Sequence, residues 1–179
     1  MIILVGGSGS NSGKTTFISI LLANFTKKFS VVKVTPTEKF GNYVETDMHV
    51  LLQKGKDTAR FIEYGAKKVV WVHADRANLG RFLNDAVNML NGDIIVEGNS
   101  AMRYLQYDLS FFVLRDMQII SKQSSIFFLN NANFVIRNVS EKITPNIEGH
   151  EIYANLYLEL KNTSKPMRKI LNSILFKLD

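Results

Sequence analysis

Six short apolar runs constrain this chain more than any other feature. They are "IILVG" (2–6), "SVVKVT" (30–35), "KVVWVH" (68–73), "DIIVEG" (93–98), "LSFFVL" (109–114) and "NFVIRNV" (133–139). Each has the length of a strand, and several are apolar at successive positions, so both faces of the strand must be covered. Helix-like stretches at about 14–27, 56–65, 76–90 and 117–128 lie between them. This alternation predicts an α/β fold, a doubly wound, mostly parallel sheet flanked by helices. At 179 residues, with no repeat, low-complexity tract or linker, the expectation is one domain over residues 1–179.

The tail "TSKPMRKILNSILFKLD" opens with helix-start residues and an early proline. Met167, Ile170, Leu171, Ile174, Leu175 and Leu178 then recur on one helical face. An amphipathic helix at about 165–178 is expected, packed on the domain's own sheet in preference to a dimer contact or a membrane surface.

Composition narrows the function classes. Apolar residues make up 46% of the chain and charged residues 21%, as in an ordinary globular protein. No apolar stretch approaches the ~20 residues that span a bilayer, and "MIILV" lacks the form of a signal peptide. There is no cysteine, hence no disulfide framework or thiolate chemistry, and a cytoplasmic location is the simplest expectation. The net charge of +6 is spread over scattered lysines and arginines, which suits surface solvation better than nucleic-acid binding. No nucleic-acid recognition motif aims those residues.

Between the first strand and the first helix lies "GGSGSNSGKTT" (6–16). A phosphate cradle needs inward-turned backbone N–H groups, a lysine for the terminal phosphates and a hydroxyl for Mg²⁺, all at a helix N-terminus. Gly9, Ser10, Asn11, Ser12, Gly13, Lys14, Thr15 and Thr16 supply these. The usual pattern has a glycine where this chain has Ser8, but Gly7, one position earlier, makes a loop with one extra residue. This is read as a phosphate-binding loop of the P-loop NTPase type, binding GTP or ATP with Mg²⁺.

Two further groups are expected to complete the site. Glu97 ends "DIIVEG", at the ligand-binding edge of such a sheet, where it can hold the metal or assist an attacking group. Lys33, near the end of the second strand, can meet a phosphate or an acidic substrate. The polar segment 36–58 reads as a mobile loop over the phosphates. Within it, "ETDMH" brings Glu45, Asp47 and His49 together, and Asp47 or Glu45 suits Mg²⁺ better than His49 suits a transition metal. The expected roles are therefore Lys14, Glu97 and Asp47 in chemistry, and Thr15, Glu97 and Asp47 at the metal. Asp57, at the start of the next helix, reads as a charge favoured by the helix dipole.

The loop spacing resembles that of dethiobiotin synthetases and the cobyrinic acid amidating synthases. The order of "SNSGKTT", Lys33, "GKDTARFIEYGA" (55–66) and "IIVEG" (94–98) resembles the MobB-type molybdopterin-guanine dinucleotide biosynthesis proteins. Gly55, Lys56, Asp57, Thr58, Arg60, Gly65 and Ala66 fit that family's motif, and the resemblance covers roughly residues 1–100. It implies a small, typically dimeric GTP-binding protein, weakly active as a GTPase, that assists a partner enzyme in molybdenum cofactor biosynthesis. Guanine preference rests on this resemblance. Asn138-Val139-Ser140-Glu141 stands where switch GTPases carry their guanine-reading motif, but without its lysine and aspartate. Two other functions remain open: an ATP-dependent small-molecule kinase or carboxylate-activating ligase, and a regulatory nucleotide-binding protein without turnover.

Overall fold

The computed structural model describes residues 1–39, 41–140, 150–162 and 165–175. Among these, eight strands form one sheet: β1 (Ile2–Gly7), β2 (Ser30–Pro36), β3 (Tyr43–Glu45), β4 (Val69–Ala74), β5 (Ile94–Glu97), β6 (Leu109–Arg115), β7 (Phe134–Asn138) and β8 (Glu151–Ala154). Their order is β3-β4-β2-β5-β1-β6-β7-β8. Every described pairing is parallel except β3 with β4. The architecture is thus α/β, a mixed and mostly parallel sheet flanked by helices.

The helices are α1 (Lys14–Asn24), α2 (Met48–Leu51), α3 (Asp57–Glu63), α4 (Leu79–Asn88), α5 (Gln123–Asn131), α6 (Leu156–Asn162) and α7 (Lys165–Leu175), with a 3₁₀ turn at Asn99–Arg103. The period-2 geometry of the strands divides the core in two. Ile3, Val5, Val31, Ile95 and Phe111 face α1, α3, α6 and α7, meeting Phe17, Phe61, Leu156 and Leu171. Leu4, Val32, Val70, Val96 and Phe112 face α4 and α5, meeting Leu83 and Phe128. Among the described residues no helix is long and apolar enough to cross a membrane.

Several expected boundaries shift for local reasons. Helix α4 begins at Leu79 rather than 76, because the Asp75 carboxylate takes the Asn78 N–H (2.8 Å) and holds residues 75–78 as a turn. Helix α5 begins at Gln123 rather than 117, following Met117, whose φ of 59° lies in the left-handed region. The expectation of a mobile loop over 36–58 is corrected. Tyr43, Val44 and Glu45 pair with His73, Val72 and Trp71, and α2 follows with Leu51 buried beneath it.

Helix α7 covers the described part of the tail. Met167, Ile170 and Leu171 of α7 are buried in the α1-side core, and Ile174 packs against it. The side chain of Leu175, and Leu178, lie outside the described residues.

Candidate functional site

Parallel strands carry their carboxyl ends to one edge of the sheet, and there β1, β2 and β5 bring three side-chain positions into line. Val5 is paired with Glu97, and Glu97 with Lys33. Val5 belongs to the face covered by α1, as do Val31 and Ile95, two residues before Lys33 and Glu97. Lys33 and Glu97 therefore project toward α1 as well. The chain turns from β1 into α1 through residues 8–13, so the first residues of α1 stand beside both.

The turn has the backbone that such a position demands. Gly13, immediately before α1, has φ 108°, which L side chains rarely adopt, and a Cβ there would lie 2.7 Å from Asn138 Nδ2. Lys14 folds back across the loop, its ammonium donating to the Gly9 carbonyl (2.9 Å) and lying 3.5 Å from Ser12 Oγ. Its nitrogen is 3.9 Å from Glu97 Oε1. Burial pulls the Lys14 pKa down against the opposing charges of Glu97 and Asp57. Burial also raises the Glu97 pKa, against Lys14 and Lys33. Both groups are thus held where burial disfavours their charged forms.

Thr15 donates its hydroxyl hydrogen to Asp57 Oδ1 (2.8 Å), and Lys33 is hydrogen-bonded and ion-paired to Asp57 Oδ2. Burial acts to raise the Asp57 pKa. The hydrogen bond and charge of Lys33, then the Thr15 hydroxyl and the Lys14 charge, outweigh it and leave the pKa lowered. Helix α3 packs beside α1, which brings Asp57 to this place.

The carboxylate that meets Thr15 is that of Asp57, and Asp47 lies apart from both. Asp47 is exposed, and its carboxylate accepts the His49 N–H (2.9 Å) as the cap of α2. Among its described contacts none is with Lys14, Thr15 or Glu97. Glu45 is turned to the Asp47 N–H, and the described residues contain no cluster of three metal-ligating side chains. Asp57 opens the helix that precedes β4, within "GKDT", a position the helix dipole alone favours for an acid.

The remaining loop residues form the wall of the turn. Gly9 leaves room for Gln118, and Asn11 takes a left-handed φ of 59°. Ser12 is buried, with its carbonyl held by Asn138 Nδ2 (3.0 Å); Ser10 is exposed, with its carbonyl facing Gln118 Nε2 (3.2 Å). Thr16, half-buried, continues the first turn of α1. Ser8 is buried, its hydroxyl donating to Gln118 Oε1 (2.6 Å) and accepting the Arg115 N–H (3.2 Å). Asn99 grips Gly7 from both sides, accepting its N–H (2.7 Å) and donating to its carbonyl (2.9 Å). Gln118, Asn99 and Asn138 come from three separate strand ends, so sequence spacing offered no sign of this clasp. Asn138 also accepts the Leu156 N–H (3.4 Å), so its side chain holds loop and α6 together. Glu141 lies outside the described residues.

The donor set fits a phosphate chain with a hard divalent cation. Inward space is kept at Gly7, where a Cβ would meet Ser12 Oγ and Lys14 Cγ. Lys14, Lys33 and the N-terminus of α1 suit phosphate, while the Thr15 hydroxyl and the Asp57 and Glu97 carboxylates are oxygen ligands of the kind Mg²⁺ takes. A depression of about 690 Å³ lined by Lys27, Lys28, Lys67 and Asp93 lies on the opposite edge, at the starts of β2, β4 and β5, away from these residues. Comparison with models of known protein families, with curated proteins and with solved structures finds no match.

Proposed function

We propose that this protein is of the P-loop NTPase type and binds a nucleoside triphosphate, GTP in preference to ATP, with Mg²⁺. In this reading it serves as a weak GTPase or an accessory factor of the MobB type in molybdopterin-guanine dinucleotide biosynthesis. The observation that carries the reading is the convergence of Lys14, Thr15, Lys33, Asp57 and Glu97 at the start of α1. Two buried-side cations and two carboxylates beside a glycine-bounded turn form a site for a phosphate chain and its metal.

Each residue then has a distinct task. The N–H groups of residues 9–15 and Lys14 hold the β- and γ-phosphates. Lys14 exchanges the Gly9 carbonyl for phosphate oxygen, and Lys33 exchanges Asp57 for the terminal phosphate. Thr15, Asp57 and Glu97 are the groups that would hold Mg²⁺. The metal would neutralise phosphate charge and fix the phosphate chain for in-line attack. If Glu97 does not hold the metal, its alternative task is to accept a proton from an attacking hydroxyl or water.

The alternative of an ATP-dependent small-molecule kinase or ligase draws support from one observation: Trp71 and Lys56 make a partly open surface directly beside Lys33. Titration with fluorescent GTP and ATP analogues, alone and with a prospective acceptor or partner protein, separates the readings. GTP preference with turnover only in the presence of a protein partner supports the cofactor-assembly role; ATP preference with turnover on a small acid replaces it. Tight binding with no turnover under any condition leaves a regulatory nucleotide-binding protein.

A further inference from the structure

Beside Lys33 the edge of the sheet changes character. Tyr43 on β3 and Trp71 and His73 on β4 form a row of three rings: Tyr43 stacks on His73 (4.7 Å between centroids, planes 13° apart), and His73 lies 4.2 Å from Trp71. Two ammonium groups stand over the Trp71 ring, Lys56 at 4.7 Å and Lys33 at 5.4 Å. Lys33 is paired with Asp57. Lys56 has no carboxylate partner among the described residues.

Lys56 thus holds its charge over the indole with no described carboxylate to offset it, and an anion beside it supplies that offset. The indole is held in place by a hydrogen bond from its Nε1 to Thr35 Oγ1 (2.9 Å), and it remains partly exposed. His73 is buried within this row, and its Nδ1 has no hydrogen-bond partner among the described residues. Burial, and after it the Lys56 and Lys33 charges, hold its pKa down against the pull of Glu45.

We infer that this ledge, Trp71 flanked by Lys33 and Lys56 with Tyr43 and His73 beside it, binds a second small molecule that carries a flat ring and an anionic group. The ring packs on Trp71 and the anion lies beside the Lys56 ammonium, on the side of Lys33 and the nucleotide's terminal phosphate. The inference rests on the reading of residues 6–16 as a phosphate cradle, because only then does Lys33 link the two ligands.

Trp71 is the single tryptophan of the chain, so its fluorescence reports on the ledge alone. The probe is 4-nitrophenyl phosphate, added to protein whose nucleotide site is saturated with Mg²⁺ and a non-hydrolysable GTP analogue. Inorganic phosphate and 4-nitrobenzyl alcohol supply the anion and the ring separately. The expected result is saturable quenching by the ester at lower concentration than either half. Lys56→Ala should weaken it roughly tenfold, as loss of a charge-assisted contact does. Arg81→Ala, which removes an exposed cation on α4, should leave it unchanged. Non-saturable quenching, equal quenching by ester and alcohol, loss of the effect when the nucleotide site is filled, or indifference to Lys56→Ala would each overturn the inference. Binding of a fluorescent GTP analogue is measured separately on nucleotide-free protein of the same preparation. Its absence with the ester still bound would sink the cradle reading; its presence without ester binding would sink the ledge.

Discussion

Asp57 accepts the hydroxyl of Thr15 and the ammonium of Lys33, so one carboxylate ties the first turn of α1 to the end of β2. Replacing it with asparagine keeps the shape and removes the charge. Asp57→Asn should lower stability by about 1 kcal/mol, a modest figure because the carboxylate is more than a third exposed and solvent screens the pair. The sign of its pH dependence is fixed by the lowered pKa. The contribution is present above the ordinary aspartate value of ~3.9 and disappears as pH falls through the depressed folded value. Urea unfolding of both proteins should therefore give a constant gap near neutrality that closes in acid; a gap that widens in acid would reverse the assignment. The same variant should bind nucleotide with little of the strengthening by Mg²⁺ seen in the parent, measured as the ratio of Kd without and with the metal.

At the scale of elements, the loop before α1 is held by its neighbours more than by itself. Ser8, at the position where a glycine is usual, bridges to Gln118 and to the backbone of Arg115. Ser8→Gly restores the common pattern yet leaves the Arg115 N–H without this acceptor, so a loss of about 1–2 kcal/mol is expected on thermal or urea unfolding. An unchanged or raised Tm would show the bridge to be idle. Helix α7 is expected to be an integral part of the fold. Leu171→Ala should cost about 3 kcal/mol, whereas Lys169→Ala on the exposed face should stay within ~0.5 kcal/mol. Six strands and the turn into α1 were legible because unbroken apolar runs and a Gly-Ser cluster are local signals. Strands β3 and β8 and helix α2 were not. They have three or four residues each, and their pairing or packing depends on partners far along the chain.

For the whole molecule, strand order decides which distant residues meet. The sequence placed Lys14, Thr15, Lys33 and Glu97 at strand ends and helix starts, and such positions share one edge in any parallel sheet. It could not say that β5 lies between β1 and β2, and that order is what sets Glu97 beside Lys33 in register. It pointed to Asp47 and gave no ground for bringing Asp57, ten residues on in the same polar segment, beside Thr15. One carboxylate caps a short helix facing solvent, and the other is carried inward because α3 packs on α1. The clasp of Asn99, Gln118 and Asn138 is likewise a product of topology, drawn from the carboxyl ends of β5, β6 and β7.

The central claim is that the turn after β1 binds the phosphates of a nucleoside triphosphate. Its most direct test is equilibrium titration of the purified protein with fluorescent GTP and ATP analogues, with and without Mg²⁺, beside Lys14→Ala. The expected result is saturable, Mg²⁺-strengthened binding, tighter for GTP, that falls by at least roughly a hundredfold in the variant, as loss of a buried charge contact to phosphate does. A Lys14→Ala protein that binds as the parent does, or a folded parent that binds neither analogue, would contradict it.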